Sequence, residues 1–443
     1  MRSFGAHQWA NVRFDTARPG RWWPLWPAAL VACVMLAGGA IASFGGFVLD
    51  VYEYQCYAVA FWHGANGLRS LPTGQCDLMQ SIVGHPLAVQ PFHSLPTEYG
   101  ALALLVFSPP LLAPAAWYPW LFAGEILLII VVTAALCARY GPPLGGHAYL
   151  LYVLLGGWLI AGTRFDAVPG LLTLLAVIWG RQRRTPLAYG ALAAATLMKL
   201  YPVVLLLPLV VADLRQEGGK LRALRGVALY LTLVVGAIAG SLLIGPADAL
   251  TPMSYLSRRG IATESLPASL LWLAHTIRGA PLAMVYEANV QTITSPLAGG
   301  ATAAGMAVFV VIIAVTTWLQ WRGRLTLGQA CVAILLGLLV GSKVFSPQYL
   351  LWVSPLIALE YGADAPWSVL WALACLMTTL AFPVAYEGTV TWGGRQPWEV
   401  VTAFSVVRNA VVAGLCVTVL AVRREVGRAL RRNDAVLVTS GAP

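Results

Sequence analysis
The chain is predicted to be an all-α polytopic membrane protein, a bundle of about eleven to thirteen transmembrane segments with its functional loops on one face. Three observations predict this. Of 443 residues, 59% are hydrophobic and only 10% charged, whereas a soluble protein carries roughly a quarter charged residues. Apolar runs of about 17–25 residues, the length that crosses a bilayer, recur from end to end. The net charge of +10 is concentrated in short segments between those runs: Arg181, Arg183 and Arg184; Arg215, Lys220, Arg222 and Arg225; Arg322 and Arg324; and Arg423 to Arg432. The positive-inside rule produces that distribution, so the basic balance points to a membrane and not to nucleic acid. Residues 1–443 read as a single integral membrane domain.

Leu25–Phe47 is the first span, running from inside to outside. It follows Arg13, Arg18 and Arg21 and lacks a small-residue cleavage site, so no cleavable signal peptide is expected. The first outer loop, 48–98, opens with FVLDVYEYQCY. Asp50 and Glu53 fall where the span emerges into water, and a carboxylate there costs far less than in hydrocarbon. Val51, Tyr54, Ala58, Phe61 and Trp62 recur at helical spacing, and Tyr and Trp favour the headgroup zone. A short helix on the membrane surface is expected, ending near Gly64 and Gly67. His63, His85 and His93 match no metal spacing and read as solvated loop residues. Cys56 and Cys76 share this loop, whose compartment permits disulfides, and are expected to pair. Cys33, Cys137, Cys331, Cys375 and Cys416 lie in apolar runs as small hydrophobes.

Tyr99–Ala115, Trp117–Ala138 and Tyr149–Gly162 are the next apolar runs, followed by Arg164-Phe165-Asp166 and the span Ala167–Gly180. If all three runs crossed, Arg181–Arg184 would fall outside, against the charge rule. One of the three is therefore partial, and Asp166 lies on the outer face. Thr185–Asp213 is flanked by basic residues on both sides and interrupted by Lys199-Leu200-Tyr201-Pro202. Each arm has about a dozen residues, near 18 Å of helix, short of the ~30 Å hydrocarbon core. Proline removes a backbone donor. The run reads as a broken hairpin with Lys199 at its tip, since irregular backbone at that depth is tolerated where it lines a cavity. A kinked helix with Lys199 snorkelling is the alternative.

Val227–Ile244 returns outward to the outer loop 245–300, which holds Arg258, Arg259 and Glu264. Thr302–Trp321 and Leu327–Gly341 then cross, and Ser342–Tyr349 forms an outer turn. Leu350–Glu360 and Pro366–Tyr386 follow. A last loop, Glu387–Trp398, precedes the span Val400–Val422 and the cytoplasmic tail 423–443. No internal repeat is visible.

This topology gathers Asp50, Glu53, Asp166, Lys199, Arg258, Arg259, Glu264 and Lys343 on the outer side. Ionisable groups at membrane depth are costly, and several at one face mark a functional site. Arginine forks and a lysine clamp a phosphate, while a separate carboxylate takes a proton from a hydroxyl. The mixture suits transfer from a lipid-linked phosphosugar. The rival from another class is a transporter or lipid flippase, which would carry charges in both halves of the membrane and often repeated halves.

The motifs LDVYEYQCYA, TEYGALALLVFSPPLL, RFDAVPGLLTLLAV, LMKLYPVVLLLP, SRRGIATESLPASLLWL and SKVFSPQYLLWVSPL run in order from Leu49 to about Pro355. In them the chain resembles the polytopic glycosyltransferases of the GT-C fold, specifically glycosyltransferase family 87, which includes a mycobacterial mannosyltransferase elongating phosphatidylinositol mannosides. One departure is that Tyr99-Gly100 stands where Tyr-Pro-Pro is common. The resemblance implies a GT-C bundle in a bacterial plasma membrane with an outward-facing site. It also implies a polyprenyl-phosphate sugar donor, mannose first among the sugars, and inverting transfer to a lipid or glycan acceptor. The base is implied to be the aspartate of the first outer loop, Asp50. Arg258, Arg259, Lys343 and Lys199 are then the candidates for the donor phosphate. Glu53, Glu98, Asp166, Glu264, Gln348 and Tyr349 are the candidates for the sugar and its surroundings. No cofactor is expected, since cationic side chains neutralise the phosphate without a metal.

Overall fold
The structure, a computed structural model, describes residues 25–44, 50–287, 290–386 and 396–421. It is mostly helical. The first half contains α1 (Leu25–Phe44), α2 (Asp50–Gly67), α3 (Asp77–Val83), α4 (Leu104–Phe107), α5 (Tyr118–Tyr140), α6 (Gly145–Gly157), α7 (Ala167–Arg181), α8 (Thr185–Met198) and α9 (Leu206–Leu214). The second half contains α10 (Gly219–Ile244), α11 (Thr251–Arg258), β1 (Ile261–Ala262), α12 (Leu266–Arg278), β2 (Ala283–Glu287), β3 (Val290–Thr294), α13 (Ala298–Trp321), α14 (Leu327–Gly341), α15 (Leu350–Tyr361), α16 (Ala365–Thr379) and α17 (Pro397–Ala421). Among the described residues six helical segments are long and apolar enough to cross a membrane, and four shorter ones are apolar.

Burial separates two kinds of helix. α14 and α15 bury nearly every side chain, as helices apolar on all sides do at the centre of a bundle. α10 and α13 also carry long apolar stretches but are almost unburied: Leu243 is 86% exposed, and Val310 and Val311 stand outward. Apolar faces of that extent need a lipid solvent.

Of the three runs before Arg164, Trp117–Ala138 forms the long helix α5, whereas Tyr149–Gly162 gives only the 13-residue α6 and a 3-10 turn. Tyr99–Ala115 forms only 3-10 turns and the four-residue α4, because Pro109, Pro110 and Pro114 interrupt any longer helix. It is too short to span. The run 185–214 is the expected broken hairpin. α8 stops at Lys199, whose backbone is extended, and α9 returns so that Asp213 Oδ2 accepts from Tyr189 Oη at 3.1 Å near the start of α8.

Three expectations need correction. The helix after the first span forms and ends at Gly67 as expected, but most of it is packed into the protein and not exposed. Glu53 to Ala60 of α2 are all buried, because Tyr54 inserts among Tyr99, Phe107, Phe122 and Phe165. The outer loop 245–300 is not simply loop: it builds α11, α12 and a three-stranded antiparallel sheet of order β1-β3-β2, with Met284 and Ile261 flanking Ile293. His85 is not merely solvated, since its Nε2 lies 2.8 Å from Asp248 Oδ1. The readings of 387–395 and of the tail 423–443 lie outside the described residues.

The polar residues divide between the two ends of the bundle. At one end Arg181 pairs with Glu360, which also accepts from Thr326 Oγ1 at 3.2 Å. The basic turns near Arg215 and Arg322 lie at this end. The other end receives the starts of α2 and α7, the turn at Lys199, the sheet and the segment 342–349.

Candidate functional site
Asp50 and Glu53 occupy the first turn of α2. They stand one turn apart on the same face, where the helix dipole favours negative charge. α2 is tied to α3 by the Cys56–Cys76 disulfide, whose Cα atoms are 5.8 Å apart, so the expected pairing is found. That bond holds Leu78 and Ile82 of α3 in the wall of a cavity of about 350 Å³.

The cavity is lined by Asp50, Glu53, Glu98, Arg164, Lys199, Arg259, Glu264, Gln348 and Tyr349, with Tyr99, Tyr255 and Trp352 among its rings. Eight of the eleven residues read from the sequence as site candidates therefore converge on one space. The exceptions are Asp166, Arg258 and Lys343. Asp166 lies behind the wall, 1% exposed, and its Oδ1 accepts from Lys199 Nζ and from Trp352 Nε1, each at 2.6 Å. It supports Lys199 and does not face the cavity. Arg258 ends α11 with its guanidinium folded back on Ser254. Lys343 is turned outward, and its Nζ donates to Ser257 O at 3.0 Å. Neither lines the cavity, so neither is placed to hold a phosphate there.

Lys199 sits in an aromatic cage. Its ammonium is 5.5, 5.3, 5.8 and 5.2 Å from the ring centres of Tyr99, Phe165, Tyr349 and Trp352. Such contacts each add roughly 0.5–1 kcal/mol or more when sheltered from water. Gly100 makes the cage possible. Its amide donates to Met198 O at 3.1 Å, and a Cβ there would fall 2.0 Å from Leu197 O. A proline at this position would lack the donor.

The carboxyls differ in state. The Glu53 carboxyl is pushed well above the usual range by burial, then by the charge of Glu98 and a hydrogen bond with it. Asp50 is also raised by burial, but Arg164, which pairs with it directly, pulls it down. Burial raises both carboxyls, and Asp50 is the one with a cation beside it. Paired acids with environments pushed apart are how acid and base roles are assigned. Burial drives Glu264 up to about 7 against the lowering effect of Arg408, Arg259 and Arg164. Arg259 lies 5.0 Å from the Tyr255 ring, and its buried Nε has no hydrogen-bond partner. Among the described residues no carboxylate pairs with it. Arg164 also has an unpartnered Nε but is paired with Asp50, so Arg259 is the cavity arginine without a carboxylate partner among the described residues.

Sequence reasoning assigned no role to Arg164, although it carries the same signal as Asp166, a charge between two apolar runs. It also passed over Arg408, the lone cation inside the apolar run of α17. Arg408 is fully buried, with its guanidinium carbon 3.6 Å from the Phe345 ring centre. Its Nη2 and Asn409 Nδ2 both donate to Glu264 O. The last span therefore clamps the Glu264 turn from behind. Among the described residues no group of three or more His, Cys, Asp or Glu side chains is arranged to hold a metal ion.

An apolar groove of about 970 Å³ adjoins the cavity, and Gly100, Leu200 and Pro252 line both spaces. Phe61, Leu104, Leu105 and Leu112 form one side, and Val234, Ala237, Ile238 and Ile244 of the lipid-exposed α10 form another. No family model, curated protein or solved structure matches the chain.

Proposed function
We propose that the protein is a membrane glycosyltransferase that moves a sugar from a polyprenyl-phosphate donor to a hydroxyl of a lipid or glycan acceptor, with inversion. One observation carries this reading: a cavity of carboxylates and cations adjoins an apolar groove beside an apolar, largely unburied helix, with Gly100, Leu200 and Pro252 lining both spaces. That pair of spaces suits a ligand with a phosphosugar head and a hydrocarbon tail. The acceptor oxygen attacks the anomeric carbon, and its proton passes to an Asp50 carboxylate oxygen. The bond from that carbon to the phosphate oxygen breaks, and the electron pair leaves on the phosphate. Arg259 and Lys199 hold the phosphate and offset its growing charge. Arg164 orients Asp50, while Glu53, Glu98, Glu264, Gln348 and Tyr349 surround the sugar. Mannose is the sugar that the resemblance favours. The basic turns at the opposite end of the bundle support a cavity on the outer face of a plasma membrane.

The test is the purified, reconstituted protein offered radiolabelled polyprenyl-phosphate sugars. Release of polyprenyl phosphate with one donor, and sugar of inverted configuration on an acceptor, is the expected result. Movement of intact donor between leaflets without release would make the protein a flippase.

A further inference from the structure
Beside the cavity lies a second, smaller pocket of about 200 Å³ with different chemistry. Ser81, Tyr255, Arg258, Arg259 and Thr292 supply its polar groups, and among the described residues no carboxylate lines it. The cavity, by contrast, is lined by Asp50, Glu53, Glu98 and Glu264. The two spaces share a wall, because Tyr255, Arg259, Ile82 and Val290 face both.

Local backbone explains how consecutive arginines serve different spaces. Arg258 closes α11 in helical conformation, while Arg259 is extended at φ −61° and ψ 138°. Their side chains therefore diverge. Gly260 lets the chain pass tightly against β3, since a Cβ there would fall 2.2 Å from Thr292 Cγ2. This brings the arginines and Thr292 to one rim. Arg258 has only long contacts of its own, Nη2 to Ser254 Oγ at 3.3 Å and Nε to Ser254 O at 3.4 Å. Lys343, next to the pocket residue Val344, adds a further positive charge nearby. Cations gathered on one rim, with no described carboxylate in the lining and Glu98 across the shared wall, raise the local concentration of anions. Arginine forks favour phosphate oxygens in particular.

We propose that this pocket binds a phosphate ester, gripped by the Arg258 guanidinium and the hydroxyls of Ser81 and Thr292. Resting on the transferase reading, that phosphate belongs to the acceptor. The donor phosphate lies across the shared wall on Arg259 and Lys199, and the acceptor hydroxyl reaches Asp50 past Tyr255. The ester comes from an anionic phospholipid headgroup or from a soluble phosphate.

Full-length protein in phosphatidylcholine nanodiscs is titrated calorimetrically with glycerol 3-phosphate, alongside Arg258→Gln, Thr292→Val and Arg278→Gln. Wild type binds, and Arg258→Gln weakens binding by about tenfold or more, the scale of one hydrogen bond to a charged group. Thr292→Val weakens it less, and Arg278→Gln, at the exposed end of α12 and lining neither space, leaves it unchanged. Repeating the titration in nanodiscs containing phosphatidylglycerol separates the sources. Competition that disappears in Arg258→Gln assigns the pocket to a lipid headgroup, and unchanged binding assigns it to a soluble ester. No binding to wild type, or binding kept in Arg258→Gln, overturns the assignment. Phosphate binding at Arg258 in a protein that turns over no sugar donor leaves the pocket standing and removes the transferase reading alone.

Discussion
The Lys199–Asp166 pair is the strongest test of the architecture, because it joins the hairpin turn to the start of α7 independently of any substrate. Lys199→Met leaves the Asp166 carboxylate 1% exposed. Trp352 Nε1 then remains as the donor to Oδ1, and Oδ2 already lacks a partner. Removing one member of a buried ion pair in this way costs about 3–5 kcal/mol. Asp166→Asn is milder. The amide still offers an acceptor to Lys199 and Trp352, and the ammonium, 15% exposed, keeps its ring cage and its opening to the cavity. About 1–3 kcal/mol is expected there, the scale of a weakened hydrogen bond to a charge. The double variant removes both charges and should be less damaged than the sum of the singles, with a coupling of about 2 kcal/mol. Unfolding by dodecyl sulfate titration from mixed micelles, followed by circular dichroism, measures all four proteins. An Asp166→Asn cost equal to or above that of Lys199→Met, or costs that add to within about 0.5 kcal/mol, would refute the buried pair.

Other consequences follow from the same geometry. Asp50→Asn should leave a folded protein whose sugar transfer falls by about 10²-fold or more, with donor binding retained and Glu53→Gln milder; a reversed order would reassign the base. Glu264 titrates at about 7 against an ordinary 4.5, so the unfolded chain ionises first as pH rises. Its contribution to stability is lost between those values and constant above, by about 3 kcal/mol at most, and Glu264→Gln should abolish that slope in a pH series of unfolding curves. Reducing Cys56–Cys76, separated by 20 residues, should lower stability by about 3 kcal/mol in the chain-entropy treatment, read as a lower melting temperature that Cys56→Ser reproduces. Single cysteines at Thr185 and Glu217 should react with an impermeant maleimide from one side of the membrane and one at Ser81 from the other; labelling of Thr185 and Glu217 from opposite sides would turn the hairpin into a crossing helix.

The sequence by itself determined the features that rest on composition and local pattern. Apolar length and basic flanks located the helices, and the same charge rule required one incomplete run before Arg181. Lysine beside proline in mid-run marked the break at Lys199, and a shared outer loop was enough to pair Cys56 with Cys76. Most of the cavity was legible too, because acids and cations beside apolar runs are few and their membrane cost makes each one conspicuous. Only the tertiary structure decided which of them face one another. Whether Arg258 or Arg259 enters the cavity depends on a single change of backbone conformation at the end of α11. Asp166 became a support for Lys199 because α15 brings Trp352 against it. Arg408 joins the site only because α17 packs behind a turn about 140 residues earlier in the chain. The apolar groove has no sequence signature at all. It is the space left where the short turns around α4 fail to fill the gap beside α10, and such a gap follows from how helices pack and not from any one helix.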